Sequence, residues 1–387
     1  MPFLVLLLLL LSHTALWVGV YNRFHAIPFP RRVLHIIDKV PVIFVFAVWS
    51  AAGIELALDH HMAERWLKFI ADHAWLTGYA CICSLFGLVC AAGWFRRTLW
   101  PHPALLQHNR STCRDVAREL GKRPVGGRMA RLFDWLPGND MFKLEINEKC
   151  VKLPRLPAAL DQLSIVHLSD LHFTGQITRE FFDFVVGQAN ELAGDLIVVT
   201  GDIVDEADCL AWLPDTLGRL RAPHGVWVIL GNHDWRQADV PGMRRQMSSL
   251  GLVEIGGRAV TLELHGARLV VAGNEWPWFG PRPAVPAREA NELRLLLSHS
   301  PDQIAWARRN DFDLMLAGHN HGGQIRVPIV GPMITPSLYG VKYAGGLFYV
   351  PPTLMHVSRG ISGEEPVRFR CAPELTKLVL RNGRSHG

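Results

Sequence analysis

The chain has 387 residues, 49% of them hydrophobic, and a formal net charge of +5. That length holds one large domain with an appendage, or two domains. The apolar excess lies before residue 96, which argues against a chain soluble throughout. Seven Cys residues, an odd number without framework spacing, exclude a disulfide scaffold or a zinc knuckle and fit a reducing compartment.

Three apolar runs open the chain. Phe3–Val20 carries no acid, Lys or Arg, Val40–Leu58 carries only Glu55, and Trp75–Phe95 carries none. Each approaches the roughly 20 residues that cross a bilayer as a helix. One such run reads equally well as a buried core helix, but three in succession predict membrane-spanning helices over 3–20, 40–58 and 75–95. Phe3–Val20 lacks the basic start and small-residue cleavage site of a signal peptide, so a retained helix is expected. Arg23, Arg31, Arg32 and Lys39 flank the first connection, and Arg96 and Arg97 follow the third run. The positive-inside rule then puts the first connection and everything after Phe95 in the cytoplasm.

Residues 96–131 hold nine bases against two acids, Asp115 and Glu119. A basic cluster beside membrane helices points to anionic lipid head groups as partners rather than to nucleic acid. Met129, Leu132, Phe133 and Leu136 recur at helical spacing beside Arg128 and Arg131, as in a helix lying in the membrane interface or one docked on the following domain. Pro137-Gly138-Asn139-Asp140 breaks the pattern. Alternation from Phe142 to Asn147 then predicts an edge strand. These boundaries give a membrane region over 1–95, a basic linker over 96–140 and a catalytic domain over 141–387.

Within that domain, apolar strands end on polar groups. Leu163–Leu168 delivers Asp170 and His172, Asp195–Thr200 delivers Asp202, and Gly225–Leu230 delivers Asn232, His233 and Asp234. Helices over 178–192 and 206–220 separate them, the grammar of a parallel sheet with its functional groups at the carboxyl ends of the strands. Gly201 and Gly231 precede the polar residues, where a missing side chain lets the backbone approach a ligand. A hairpin turning at His265-Gly266 follows. Leu293–Leu297 then delivers His299, and Asp313–Leu316 delivers His319 and His321. His167, inside an apolar strand, reads as a core histidine. His265 and the pair His60-His61 read as turn and loop residues, and Asp195 and Asp313 as solvated or capping groups at strand starts.

Asp170, His172, Asp202, Asn232, His299, His319 and His321 form an oxygen and nitrogen donor set without thiolate, too large for one closed zinc site. Two cations about 3.5–4 Å apart, bridged by one carboxylate, would use them well. Mn²⁺, Fe or Zn²⁺ suits these donors, and the metal identity stays open.

The blocks Asp170-x-His172, Gly201-Asp202, Gly231-Asn232-His233-Asp234, His299 and Gly318-His319-Asn320-His321 resemble the calcineurin-like metallophosphoesterase superfamily. Gly322-Gly323-Gln324, Pro336–Gly340 and Val357–Gly360 resemble its YkuE-type branch. The resemblance implies an α/β fold, a four-layer αββα sandwich, with Met355–Val357 and Leu375–Leu380 completing the second sheet. It implies that Asp170, His172 and His321 hold one metal, that Asn232, His299 and His319 hold another, and that Asp202 bridges them. His233 would stand over the leaving oxygen as general acid or transition-state stabiliser, paired with a carboxylate such as Asp202 or Asp234, while a metal-bridging hydroxide attacks phosphorus. Asn232, His233 and Arg359 are the candidate substrate contacts, although Arg359 can equally pair with a carboxylate. Where this branch often places an acidic pair, Gly273-Asn274-Glu275-Trp276-Pro277-Trp278 stands instead, leaving the role of the Asn274–Pro286 loop open. Trp276, Trp278 and Phe279 line a substrate channel or pack that loop.

The expected activity is a phosphodiesterase or pyrophosphatase of the bacterial inner membrane, with its catalytic domain in the cytoplasm. Its substrate would be a phosphoester, in one reading lipid-linked, since some relatives hydrolyse UDP-diacylglucosamine. The alternatives are a protein phosphatase and a non-catalytic membrane protein that keeps the metal site as a structural or binding module.

Overall fold

The computed structural model describes residues 1–59, 61–99 and 105–383, with the backbone alone at residues 31, 32, 35–38, 56 and 58. His60 and residues 100–104 of the basic stretch lie outside the described residues. The chain divides into two compact units, Met1–Pro101 with Pro336–Lys342, and His102–Thr335 with Tyr343–Gly387.

The first unit is helical: α1 Pro2–His25, α2 Arg31–Leu58, α3 Met62–Asp72 and α4 Ala74–Leu99. By length and composition α1 and α4 can each cross a membrane. The middle apolar run lies in α2, and α3 is a short helix in a connection where none was expected. Leu6, Leu10, Ala52 and Ala63 form a small buried core. Phe3, Leu8, Ile43, Phe46, Leu85 and Leu88 are more than half exposed or close to it, which suits surfaces solvated by lipid. Tyr79 Oη takes the Trp17 indole N–H at 2.9 Å and pairs with His13 Nδ1 at 2.7 Å, so these polar atoms are satisfied internally.

The second unit is built on strands. In chain order they are β1 Leu106–Asp115, β2 Lys143–Leu153, β3 Ser164–Leu168, β4 Leu196–Thr200, β5 Val226–Ile229 and β6 Val253–Glu254. There follow β7 Ala259–Leu264, β8 Ala267–Asn274, β9 Glu292–Ser298 and β10 Leu314–Ala317. Last come the short pair β11 Arg326–Val327 and β12 Gly331–Pro332, then β13 Gly346–Val350, β14 Thr353–Val357 and β15 Glu374–Asn382. One sheet has the order β1-β2-β15-β3-β4-β5-β6, the other β13-β14-β10-β9-β8-β7.

Alternation along each strand sorts its side chains between two layers. Ile165, Val198, Trp227, Leu295 and Leu316 meet in the core between the sheets. Val166, Val199 and Val228 face outward against Phe181, Phe182 and Val185 of the helix Arg179–Glu191 and Met243 and Met247 of Val240–Ser249. Leu296, Met315 and Met355 pack outward with Ile304 and Ala307 of the helix Ile304–Arg309. Burial on both faces explains why the central strands read as continuous apolar runs. The order of layers is helix, sheet, sheet, helix, as expected.

Four elements differ from expectation. β15 joins the first sheet, parallel to β2 and antiparallel to β3, so of the two late strands expected in the second sheet only β14 joins it. β2 is not an edge, because β1 pairs along its outer side. β1 falls in the stretch expected to be a linker; nearly all its residues are exposed and polar, so no apolar period announces it. Residues 206–220 form two short 3-10 turns, Ala207–Trp212 and Leu217–Arg219, rather than one helix; Pro214 in the middle cannot continue a helix.

Candidate metal centre

The carboxyl ends of β3, β4, β5, β9 and β10 converge on one buried point. Asp170, His172, Asp202, His299 and His319 are each at most 3% exposed. His321 and His233 keep 14% and 12% of their side chains accessible and mark the mouth. Asp170, His172, Asp202, His319 and His321 all adopt positive φ, between 49° and 70°. Non-glycine residues avoid this region at a cost of about 1–3 kcal/mol each. Here it turns every second side chain of these strand ends inward. A Cβ on Gly231 would collide with Asp202 and the His299 ring, and one on Gly318 with Ser169 and Asp170, so both glycines permit the approach of neighbouring strand ends.

Two groups of donors share Asp202. Asp170, His172, Asp202 and His321 have ligand atoms within 4.8 Å of one another, as do Asp202, His299 and His319. His172 Nε2 stands 3.2 Å from His321 Nε2. Their other ring nitrogens are engaged: His172 Nδ1 donates to Asp205 Oδ2 at 2.8 Å, and His321 Nδ1 to the Ser362 carbonyl at 3.1 Å. Two lone pairs therefore face each other. On the other side His299 Nδ1 donates to the Thr200 carbonyl at 2.7 Å. Its Nε2 then meets Asn232 Oδ1 at 3.0 Å, His319 Nδ1 at 3.1 Å and Asp202 Oδ2 at 3.2 Å.

Acceptors packed against acceptors repel unless a cation lies among them, so the donor set fits a divalent metal at each group. Without one, only a proton can separate the lone pairs. Burial opposes charge on His172, but Asp205, Asp202 and Asp170 outweigh it and lift the ring to about 10. Against the same burial, Asp202 and Asp170 lift His299 to about 9. Burial together with these charged rings holds His319 and His321 well below the ordinary value. Despite burial, His299 and His233 keep the Asp202 carboxyl well below the usual carboxylate range.

His233 differs from expectation in its partner. Its ring Nδ1 bonds to Asp205, while Asp202 Oδ1 accepts its backbone N–H at 2.7 Å. Asp234 instead accepts the backbone N–H groups of Ile203 and Val204, both at 3.0 Å, and of Gly231 at 2.8 Å. It clips two strand ends together, and burial beside Asp202 pushes it up to about 7. Asp205 is the functional residue that sequence reasoning missed. Its signal was its place three residues beyond Asp202, across the apolar pair Ile203-Val204.

Arg359 does not offer its fork to the mouth. It pairs with Glu145 at 3.0 Å and Glu374 at 3.2 Å, the carboxylate alternative, so it is withdrawn as a substrate contact. Glu275 is buried against Arg244 at 2.6 Å and accepts the Leu230 N–H at 2.6 Å, bracing the strand end before Asn232. Trp278, 8% exposed, packs its ring 5.4 Å from His299 and 5.0 Å from His319, while Trp276 lies on the rim beneath Arg282. Asp313 is buried and paired with Arg288 and Arg155 rather than solvated. His167 is a core histidine, as expected.

The calcineurin-like phosphoesterase family pattern matches residues 163–323. An uncharacterized metallophosphoesterase, YkuE of Bacillus subtilis, is 33% identical over 252 residues, covering 62% of this chain and 86% of that protein. The phosphodiesterase YaeI of Escherichia coli is 30% identical over 220 residues, covering 56% and 81%. The UDP-2,3-diacylglucosamine pyrophosphatase LpxG of Chlamydia muridarum is 27% identical over 304 residues, covering 64% and 92%. The chain belongs to the calcineurin-like phosphoesterase family and is a metal-dependent phosphoric ester hydrolase.

Proposed function

We infer that the enzyme is a membrane-anchored phosphodiesterase or pyrophosphatase with two cations, acting on an amphiphilic, lipid-linked substrate at the cytoplasmic face of a bacterial inner membrane. The observation that carries this reading is the convergence of lone pairs on both sides of Asp202. Asp170, His172 and His321 would hold one cation, Asn232, His299 and His319 the other, with Asp202 common to both. When bound, such a pair supplies Lewis acidity toward a phosphoryl oxygen and lowers the pKa of a water.

The remaining work falls to protein groups. Asp205 fixes the His233 ring through Nδ1 and leaves Nε2 facing the mouth. Nε2, on the side of the exposed Glu364 carboxylate at 3.8 Å, then donates a proton to the departing oxygen. The Asn232 amide and the His233 ring orient the phosphoryl group, and Trp278 excludes water from the back of His299 and His319. Burial of the carboxylates strengthens each of these interactions.

The two long apolar helices and the basic stretch after Arg96 support the anchor and its orientation. The name of the Chlamydia relative supports a nucleotide-linked lipid as the substrate class. The test is to assay the full chain in detergent with Mn²⁺ on bis-p-nitrophenyl phosphate, a UDP-linked diacylglucosamine and a phosphopeptide. Preference for the lipid pyrophosphate is expected. Failure on all three sinks the reading, and preference for the phosphopeptide removes its lipid part.

A further inference from the structure

The mouth of the site is bordered by apolar side chains that the phosphoryl chemistry does not use. In the helical turn Arg128–Phe133 and the residues after it, Ala130 is buried inward while Met129, Leu132, Trp135 and Leu136 are 41%, 62%, 87% and 47% exposed. The β11–β12 hairpin begins five residues past His321. There Ile325, Val327, Ile329, Val330 and Ile334 are between 38% and 88% exposed.

These two segments adjoin. Phe369 bridges to Asn139 on one side and to Ile325 on the other, and Asn139 Nδ2 holds the Phe133 carbonyl at 2.9 Å. The hairpin also borders the mouth. Gln324, at the base of the hairpin, donates to the Glu365 carbonyl at 2.7 Å, and the neighbouring Glu364 carboxylate is the one 3.8 Å from His233 Nε2.

Soluble proteins rarely leave a contiguous apolar patch of this kind exposed without an occupant. Here the chain indicates which one. Leu106, the first residue of β1, follows only seven residues after Leu99, the last of α4. Along the chain, this unit therefore begins shortly after a helix long and apolar enough to cross a membrane. Arg128 and Arg131 are exposed beside Leu132, the pairing of bases with apolar side chains that anionic bilayers attract. The most exposed members, Trp135 and Ile329, project from a turn and from a hairpin tip and so form protrusions rather than a groove for a peptide.

We propose that the helical turn 128–136 and the hairpin 325–334 together form a second membrane contact, inserting into the head-group region of an anionic bilayer and seating the mouth of the active site on it. This rests on the membrane-anchored reading above and specifies how a lipid-borne phosphoester would reach His233 without leaving the bilayer surface.

The test uses the full chain, with the accessible Cys81, Cys90, Cys113 and Cys150 replaced by Ser, reconstituted in vesicles of phosphatidylcholine and phosphatidylglycerol. Spin labels are placed by Leu132→Cys, by Ile329→Cys and, as a control on an exposed strand away from the patch, by Glu263→Cys. Power saturation is compared with oxygen, which partitions into lipid, and with a water-soluble nickel chelate. The labels at 132 and 329 are expected to favour oxygen over nickel several-fold relative to 263. Ratios equal to the control would overturn the proposal. Shielding of both labels from both reagents would overturn it too, because protein and not lipid would then cover the patch. No turnover is needed, so an enzyme inactive on every phosphoester would remove the catalytic reading and leave this result intact.

Discussion

His172 donates its Nδ1 proton to Asp205 at 2.8 Å, and the other oxygen of that carboxylate holds His233. One side chain therefore orients both a candidate metal ligand and the proposed proton donor. Asp205→Asn keeps the shape and removes the charge. It should lower kcat about 100-fold and weaken metal binding about tenfold. An alkyl leaving group should lose more than p-nitrophenolate, which departs without a proton. Equal losses for both would mean that Asp205 acts through His172 alone.

Trp278 backs the rings of His299 and His319. Trp278→Ala should let both rings turn and weaken apparent metal affinity about tenfold, in the range typical of groups that orient ligands. Trp278→Phe should retain most of it. Metal titration of the full chain after chelator treatment, followed by recovery of activity, measures both.

Behind the site, Glu374 is buried with Lys149 at 2.9 Å and Arg359 at 3.2 Å. Removing only the acid strands Lys149 and leaves Arg359 with Glu145 alone, in a medium that solvates cations poorly. Glu374→Ala should destabilise the fold by about 3–5 kcal/mol, read as a lower denaturant midpoint. Lys149→Met in addition should recover part of that loss.

Between the sheets, Thr200 Oγ1 donates to Ser169 and pairs with His167 Nε2 at 2.8 Å, and His167 Nδ1 faces His356 Nδ1 at 3.0 Å. Burial lowers His167 to about 4 from an ordinary 6.5. The folded-state value is depressed, so below pH 6.5 the unfolded chain binds a proton that the folded chain refuses. The associated stability is complete above 6.5 and is lost as pH falls toward 4, by roughly 3 kcal/mol. His167→Gln should flatten that part of the pH dependence of unfolding; an unchanged slope would show that the ring titrates normally.

Much of this was legible in the primary structure. Strands covered on both faces read as short apolar runs, and their polar ends at Asp170, Asp202, Asn232, His299 and His319 marked candidate donors that the structure brings together. What stayed hidden had no periodic signature. β1 is polar and exposed along its length, and β15 gives no local indication of which sheet accepts it. Asp205 looked like any loop carboxylate until the turn after β4 brought it between two imidazoles. The positive φ angles of the candidate ligands are likewise fixed by tertiary packing, since Asp and His carry no intrinsic demand for them.

The central claim is that Asp202 is common to two cations. The most direct measurement is electron paramagnetic resonance of the Mn²⁺-loaded full chain, with metal content determined on the same sample. The account predicts two Mn²⁺ per chain with an exchange-coupled spectrum, and loss of that coupling in Asp202→Asn. A single equivalent, or two uncoupled ions whose spectrum Asp202→Asn leaves unaltered, would contradict it.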